Sequence, residues 1–235
     1  MKPIPVSVSW SGGKDSAYML YLLLNDPTYQ VVELHTALSA DLDRVSMHGV
    51  PKNMIEAQAA SFGLPIHFLS IPEDKSNDSY EKELAKYYDR IKKMGVYHVA
   101  SGDIFLEDLK VYRDKIFSTH SITGVYPLWK IPTDELITKI LNIGFKTVIC
   151  TAKKELFTES ICGKVLNEEI IQSFGPKIDP CGENGEFHSF VFDGPIFNSR
   201  IEYEILDTLE KTYVAQTTEG ELRSTFEFAD LKLKR

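Results

Sequence analysis

Apolar runs bounded by turn residues alternate with stretches of helical periodicity through the first two-thirds of the chain. A parallel sheet needs a crossover helix between successive strands, so this alternation is typical of an α/β fold. The pattern predicts a doubly wound, mainly parallel sheet. The predicted strands are residues 6–10, 31–38, 66–71, 96–100 and 146–152, and the predicted helices are residues 17–24, 52–62, 78–94, 109–120 and 133–143.

The pattern changes after residue 152. Mixed helical segments are followed by a cluster of Gly, Pro and Cys at residues 175–185, and then by alternating or β-branched runs. These runs predict three further strands and a short polar tail. They are residues 187–192, 200–206, 212–218 and 231–235. We therefore predict two domains, a larger α/β domain at residues 1–152 and a smaller α+β subdomain at residues 153–235.

The composition narrows the class of protein. With 43% hydrophobic and 26% charged residues among 235, the chain is typical of a globular protein and not of a disordered or fibrous one. No run approaches the roughly 18 apolar residues of a membrane span, and the amino-terminal segment lacks the features of a secretory signal. Three cysteines, without the spacing of a zinc site or a disulfide framework, favour a reducing cytoplasm. The net charge of -8 argues against a nucleic acid partner.

The Ser-Gly-Gly-Lys-Asp-Ser segment at residues 11–16 lies between the first predicted strand and helix, at the edge where open α/β sheets bind ligands. Adjacent glycines allow close approach of phosphate oxygens, and a helix amino terminus attracts anions. Ser11 and Ser16 offer hydroxyl groups, and Lys14 suits the charge that develops on departing pyrophosphate. Asp15 either caps the helix or holds a Mg²⁺ that bridges phosphates. The segment therefore predicts an ATP site.

This segment is neither a Walker A loop nor a Gly-x-Gly-x-x-Gly dinucleotide fingerprint, because its glycines have other spacings. Other residues extend the site. Asp103, at the end of the fourth predicted strand, either contacts ribose, metal or substrate or is a turn aspartate. His48, in the loop after the second strand, either reaches the adenine or phosphate region or is an ordinary loop histidine. The predicted nucleotide contacts are Ser9, Ser11, Gly12, Gly13, Lys14, Asp15, Ser16, His48 and Gly102.

Motifs further along the chain resemble those of a known family. Cys-Gly-Glu-Asn-Gly-Glu-Phe-His-Ser at residues 181–189, followed by Phe-Asp-Gly-Pro at 192–195, resembles the Glu-Gly-Gly-Glu-Phe-His signature of the diphthine-ammonia ligase family. Ser-Gly-Asp-Ile at 101–104 and Tyr-Pro-Leu-Trp at 126–129 are similar to two other landmarks of that family. The loop itself resembles that of the PP-loop, or N-type ATP pyrophosphatase, superfamily. Asn184 departs from the glycine common in the signature, and asparagine is tolerated if φ is positive there.

The resemblance implies a HUP, or adenine nucleotide alpha hydrolase-like, fold with an ATP-binding PP-loop domain at residues 1–152 and a substrate-binding subdomain at 153–235. It also implies a reaction in which ATP adenylates a substrate carboxylate, pyrophosphate leaves, and ammonia displaces AMP. Free ammonia is expected because 235 residues hold no glutaminase domain. ATP and Mg²⁺ are the expected cofactors, with Asp15 as the metal ligand.

The acidic turn supplies the second half of the predicted site. Glu183 and Glu186 hold Mg²⁺ or substrate, or one is a general base that deprotonates ammonium; the alternative is a solvated turn. His188 is either part of this site or an ordinary strand histidine. The predicted catalytic residues are Lys14, Glu183 and Glu186, and the predicted substrate contacts are Asp103, Glu183, Asn184, Gly185, Glu186 and His188.

Two other functions stay open at this point. One is a tRNA-modifying PP-loop enzyme, a thiolase or a lysidine-type synthetase, which the acidic composition argues against. The other is a regulatory module that binds ATP without catalysis, which would not need the second acidic motif. The acceptor carboxylate is diphthine on translation elongation factor two if the organism makes diphthamide, and an unknown carboxylate otherwise. No membrane partner is expected, and a homo-oligomer is compatible with the sequence.

Overall fold

A computed structural model describes residues 2–41, 43–45, 48–71, 77–217 and 220–234. Within these residues the strands form two sheets. Sheet A contains β1 (Ile4–Ser9), β2 (Tyr29–Ser39), β3 (Arg44–Val45), β4 (Ile66–Ile71), β5 (His98–Ala100) and β6 (Thr123–Val125). Sheet B contains β7 (Lys146–Lys153), β8 (Phe187–Asp193), β9 (Tyr203–Thr217) and β10 (Gly220–Leu233). The helices are α1 (Lys14–Asn25), α2 (Lys52–Phe62), α3 (Asn77–Lys93), α4 (Glu107–Thr119), α5 (Thr133–Asn142) and α6 (Glu168–Gln172).

Sheet A is mainly parallel, as the alternating pattern predicts. Strand β1 lies at its centre and pairs in parallel with β2 and β5, while β4 and β6 extend the two sides in the same direction. The two-residue β3 is antiparallel to β2. The carboxyl ends of the parallel strands therefore meet at one edge, and the loop between β1 and α1 begins there. The predicted α/β fold is confirmed.

Sheet B is antiparallel, with the strand order β8-β7-β10-β9. The prediction of β7 as a further strand of the parallel sheet is wrong about its partners, because β7 pairs with β8 and β10. A run that is buried on both faces fits either kind of sheet, and its periodicity does not report the direction of its neighbours. The chain thus passes from the mainly parallel sheet A to the antiparallel sheet B between β6 and β7. The division of the chain at residue 152 stays a prediction.

The carboxy-terminal segment also differs from its prediction. Two separate strands were expected at residues 200–206 and 212–218, but β9 is continuous to Thr217; Thr218 lies outside the described residues. The expected polar tail is the end of β10, where Leu231 pairs with Ile205. Leu231 is buried because it faces the core, and alternation with lysines concealed this in the sequence.

One apolar core joins the two sheets. Buried side chains of β1 and α1, among them Val8 and Leu20, belong to the same cluster as Val148 of β7, Phe190 of β8 and Leu231 of β10. Helix α1 lies against β8, so the predicted burial of this helix is observed along most of its length. None of the helices in the described part of the chain combines the length and hydropathy required to cross a membrane. The shared core places β8 beside the loop after β1.

Candidate active site

The glycines of the loop between β1 and α1 are required by close packing. Gly12 has a φ of 82°, its carbonyl oxygen accepts a 2.9 Å hydrogen bond from Val191 N, and a Cβ would lie 2.7 Å from Ile55 Cδ1. Gly13 caps α1, and a Cβ there would lie 2.9 Å from His48 Cε1. The loop can therefore lie directly against β8, α2 and His48 only because both side chains are absent.

Two adjoining cavities lie at the carboxyl edge of sheet A. The loop cavity, of about 480 Å³, lies between the loop after β1 and residues 181–189. The strand cavity, of about 430 Å³, lies between the end of β2 and helices α3 and α4, and its walls include the aromatic side chains of Tyr88 and Phe117. Among the described residues, those that line both cavities are Ser9, Ser11, His48, Leu109, Arg113 and His188. The two cavities meet at these six side chains.

Lys14 is a buried cation at the start of α1, with 2% of its side chain exposed. Its Nζ donates a 2.9 Å hydrogen bond to Asp15 Oδ2 and a short one to the carbonyl oxygen of Cys181. Burial by itself lowers the pKa of Lys14, but the charge of Asp15, with smaller contributions from Cys181 and Glu183, raises that pKa above its usual value. Lys14 therefore keeps its positive charge inside the loop cavity.

Asp15 lines the loop cavity and has one carboxylate oxygen without a partner in the described part of the chain. Its Oδ2 pairs with Lys14, whereas its buried Oδ1 accepts no hydrogen bond from any described residue. Gly13 occupies the N-cap of α1 without a side-chain bond, so Asp15 does not cap this helix. Burial of an unpartnered carboxylate oxygen is unfavourable unless a ligand satisfies it. Among the described residues, no group of three or more His, Cys, Asp or Glu side chains is arranged to hold a metal ion by itself.

The two glutamates of the acidic turn before β8 have different surroundings. Glu186 is 3% exposed, and its Oε1 accepts hydrogen bonds from Asp179 N at 2.9 Å and Asn184 Nδ2 at 3.1 Å. It does not line the loop cavity, and its contacts hold the turn together. Glu183 does line the cavity, where its Oε1 accepts a 3.1 Å hydrogen bond from Ile104 N. Glu183 is therefore the glutamate that can meet a ligand.

The surroundings of Glu183 also shift its pKa toward neutral pH. Burial raises the pKa of Glu183 to about 7, although the hydrogen bond from Ile104 N opposes the shift; the nearby charge of Asp15 adds to it. A general base is most effective when its pKa lies near the working pH. Glu183 therefore has the position and the proton affinity of an acid–base group.

His48 and His188 form a neutral pair of rings where the cavities meet. Their ring centroids lie 4.7 Å apart, and His48 Nδ1 lies 3.0 Å from the carbonyl oxygen of Ser189, to which it donates. Burial lowers the pKa of His48 to about 4 and the pKa of His188 well below its usual value. His188 Nε2 is buried, and none of the described residues forms a hydrogen bond with it. Its ring can therefore exchange a hydrogen bond with a bound ligand without adding charge.

Asp103 does not present a free carboxylate to the cavity. Its Oδ2 accepts a 2.8 Å hydrogen bond from Arg113 Nε, and its Oδ1 accepts a 3.2 Å hydrogen bond from Arg113 Nη2. Asp103 extends from the loop after β5, and Arg113 reaches it from α4. The pair therefore places a guanidinium, and not only a carboxylate, in the wall of both cavities.

Comparison with known proteins assigns the chain to a family. Family models for the diphthamide synthase N-terminal and C-terminal domains match residues 4–123 and 132–222. This chain belongs to the diphthamide synthase family. A Danio rerio relative named diphthine-ammonia ligase is 24% identical, over 92% of this chain and 92% of its own length. A Homo sapiens relative of the same name is 24% identical, over 85% and 82% of the two chains.

A third relative is longer. The Schizosaccharomyces pombe protein, also named diphthine-ammonia ligase, is 23% identical over 81% of this chain, which covers 34% of that relative's length. Family membership confirms the resemblance predicted from the motifs and the prediction that the chain is an enzyme. The roles of individual residues stay predictions.

Most of the predicted site residues lie together. Those that line the loop cavity are Ser9, Ser11, Lys14, Asp15, Ser16, His48, Gly102, Asp103, Glu183, Asn184, Gly185 and His188. Gly12, Gly13 and Glu186 are not in its lining, and they support the loop and the turn from behind. Sequence reasoning missed Arg113, because one arginine within a helix has no motif or spacing that distinguishes it from a surface residue.

Proposed function

We propose that this enzyme is an ATP-dependent ligase that converts a carboxylate of its acceptor into an amide with ammonia. One observation carries the proposal: the loop cavity holds both the buried cation Lys14 and the titratable carboxyl of Glu183. The first suits a departing pyrophosphate, and the second suits removal of a proton from ammonium. The name of the relatives makes diphthine the first acceptor to test, and another carboxylate is the alternative.

The first step forms an acyl-adenylate. A carboxylate oxygen of the acceptor attacks the α-phosphorus of ATP, the bond to the oxygen that bridges to the β-phosphate breaks, and pyrophosphate leaves with the electron pair. Lys14 Nζ stabilises the charge that collects on this leaving group, and the first turn of α1 contributes the positive end of its dipole. The acceptor carboxylate, a poor electrophile, thereby becomes an acyl-adenylate, which is a good one because AMP is a better leaving group than oxide.

The second step forms the amide. The nitrogen of ammonia attacks the carbonyl carbon of the acyl-adenylate, the bond between that carbon and the AMP oxygen breaks, and AMP leaves with the electron pair. The nitrogen then loses one further proton to solvent, which leaves the neutral amide. Glu183, in its carboxylate form, takes one proton from ammonium so that the nitrogen has a lone pair for the attack. Its pKa of about 7 allows it to accept that proton and to release it to solvent afterwards.

Mg²⁺ fits this site as an ion shared with the phosphates. The unpartnered Oδ1 of Asp15 is the kind of oxygen ligand that Mg²⁺ prefers. Protein sites for ATP-bound Mg²⁺ often supply only one or two carboxylates, with phosphates and water completing the octahedron. When bound, the ion would screen phosphate charge, and Asp15 would hold it beside Lys14.

Product analysis tests the proposal. The purified enzyme is incubated with ATP, MgCl₂, ammonium chloride and elongation factor two that carries diphthine, and the nucleotides are separated by chromatography. We expect AMP, pyrophosphate and an amidated acceptor, with no turnover when ammonium or the acceptor is omitted. ADP and phosphate as products would contradict the adenylation mechanism. Turnover with bulk tRNA as the acceptor would favour the tRNA-modifying alternative, and ATP binding without turnover on a panel of carboxylates would favour the regulatory one.

The state of the cysteines is compatible with the predicted cytoplasmic location. Cys150, Cys162 and Cys181 are all free thiols, and Cys150 and Cys181 are buried. Burial raises the pKa of each of these three thiols, so the thiolate form is disfavoured. We propose that the protein works in a reducing compartment and that none of these thiols is a nucleophile.

A further inference from the structure

Arg113 is the cation at the junction of the two cavities. Its side chain lines both of them and is 23% exposed, while its Nε and Nη2 are bound by the buried carboxylate of Asp103. This two-point pairing fixes the plane of the guanidinium and leaves Nη1 without a hydrogen-bond partner among the described residues. Arg113 is therefore held in a fixed orientation, and its Nη1 can still donate hydrogen bonds to a ligand.

Few basic side chains of the described residues line the two cavities. Among the described residues, Lys14 and Arg113 are the lysine and arginine side chains that line the two cavities, and each is paired with its own acid. Lys14 lines the loop cavity but not the strand cavity. A nucleotide that spans both cavities would therefore meet Arg113 where it passes from one to the other.

The connectivity of ATP decides which part lies at this junction. The pyrophosphate end belongs at the loop and Lys14, and the strand cavity, with Tyr88, Leu84 and Phe117 in its walls, suits the nucleoside. The α-phosphate connects the two, so in a nucleotide bound in this way it would lie at the residues shared by both cavities. Of those six residues, Arg113 alone has a full positive charge, since His48 and His188 are neutral.

We propose that Arg113 binds the α-phosphate of ATP, and that Asp103 orients Arg113 instead of contacting the nucleotide. This inference rests on the proposed function. Arginine suits the task because its planar fork binds phosphate oxygens at two points. During adenylation a carboxylate approaches the α-phosphorus, and the guanidinium reduces the repulsion between that carboxylate and the phosphate oxygens.

A comparison of two ligands tests this contact without knowledge of the acceptor. AMP and adenosine differ only in the α-phosphate, so their dissociation constants are measured by calorimetry for the wild type and for Arg113→Met. We expect AMP to bind about 10- to 100-fold more weakly to the variant, because one or two charge-assisted hydrogen bonds are lost. Adenosine binding should be unchanged. Arg113→Lys should restore part of the AMP affinity because it keeps the charge.

Asp103→Asn separates orientation from direct contact. If Asp103 only orients Arg113, this variant weakens AMP binding less than Arg113→Met does and leaves adenosine binding unchanged. If Asp103 instead binds ribose, adenosine and AMP weaken together, which would overturn that half of the proposal. Arg90→Met is the matched control for folding, because Arg90 also pairs with a buried carboxylate, Glu33, and lines neither cavity.

The outcomes distinguish this inference from the function on which it rests. Unchanged AMP affinity in Arg113→Met would overturn the α-phosphate contact and leave the ligase proposal intact. An equal loss for AMP and adenosine would also overturn it, since that pattern indicates a structural role. A wild-type enzyme that binds neither AMP nor ATP would overturn both. Retention of the wild-type thermal transition in Arg113→Met shows that the measured losses belong to folded protein.

Discussion

The two walls of the loop cavity are built in different ways. The loop wall, residues 9–16, is stabilised by neutral backbone and hydroxyl groups. Ser16 Oγ donates to the carbonyl oxygen of Gly13 at 2.9 Å, Gly13 N donates to Ser11 Oγ at 3.2 Å, and Val191 N of β8 donates to the carbonyl oxygen of Gly12 at 2.9 Å. The turn wall, residues 181–189, depends on the carboxylates of the half-buried Asp179 and the buried Glu186. Asp179 Oδ1 accepts hydrogen bonds from Cys181 N and Glu183 N, and Glu186 accepts one from Asp179 N.

This difference leads us to expect that the loop wall anchors phosphate and that the turn wall takes part in acid–base chemistry. The groups that form the loop wall are neutral apart from the Lys14–Asp15 ion pair. The turn wall places Glu183 in surroundings that raise its pKa and uses Glu186 to hold the turn. Changes to the first wall should therefore alter phosphate chemistry, and changes to the second should alter proton transfer or stability.

Loss of Lys14 should have the largest effect. Lys14→Met removes the charge that we propose faces pyrophosphate, and we expect kcat to fall about 10²- to 10³-fold, as for one preorganised donor in comparable sites. The measurement is the initial rate of pyrophosphate release. Lys139→Met, at an exposed position on α5, is the control and should be unaffected. An unchanged rate in Lys14→Met would remove this residue from the chemistry and leave the loop wall as a binding surface.

Glu183→Gln should come next. We expect kcat to fall about 10²-fold, at the lower end of the range for a general base, because some free ammonia is always present. The base must be ionised, so wild-type activity should rise as pH increases through about 7. Ammonia itself titrates, so the ratio of wild-type to Glu183→Gln rates at each pH isolates the side chain. A ratio that stays constant from pH 5 to pH 9 would exclude Glu183 as the base.

The same substitution at Glu186 should have a much smaller kinetic effect. Glu186→Gln keeps an oxygen that can accept from Asp179 N, so we expect kcat to stay within about threefold of wild type. Glu186→Ala removes that acceptor and should lower the free energy of unfolding by about 1–3 kcal/mol in urea denaturation. A loss of kcat in Glu186→Gln as large as that in Glu183→Gln would restore the catalytic role that the motif predicts for Glu186.

The smallest expected effect is on the way in which the free energy of unfolding varies with pH. Burial raises the folded-state pKa of Glu183 from 4.5 to about 7, so the folded protein holds this proton more tightly than the unfolded chain does. Its contribution to stability is therefore full below pH 4.5 and is lost as pH rises through about 7. Relative to wild type, ligand-free Glu183→Gln should become more stable across this interval in parallel denaturation series. If the difference in the free energy of unfolding between wild type and Glu183→Gln does not change with pH, Glu183 is not buried as described.

The sequence predicted local features of the site well. The strand, loop and helix around Lys14 are adjacent in the chain, and their ligand-binding edge follows from the direction of a parallel strand. Helix α2 and strand β4 were predicted with their observed limits, because Pro51 and Gly63 mark the ends of the helix. The partners of β7 and the continuity of β9 into the β9–β10 pair could not be predicted in this way, because strand pairing is a non-local choice.

The sequence by itself determined the phosphate loop, the acidic turn and the family, since each depends on residues that are neighbours in the chain. Only the tertiary structure decided which carboxyl groups meet the cavity. Glu183 and Glu186 are three positions apart, yet one lines the cavity and the other supports the turn. Asp103 was expected to contact a ligand, and its pairing with Arg113 from α4 presents a cation as well. Such distinctions depend on the direction of side chains and on burial, which arise only when distant segments pack together.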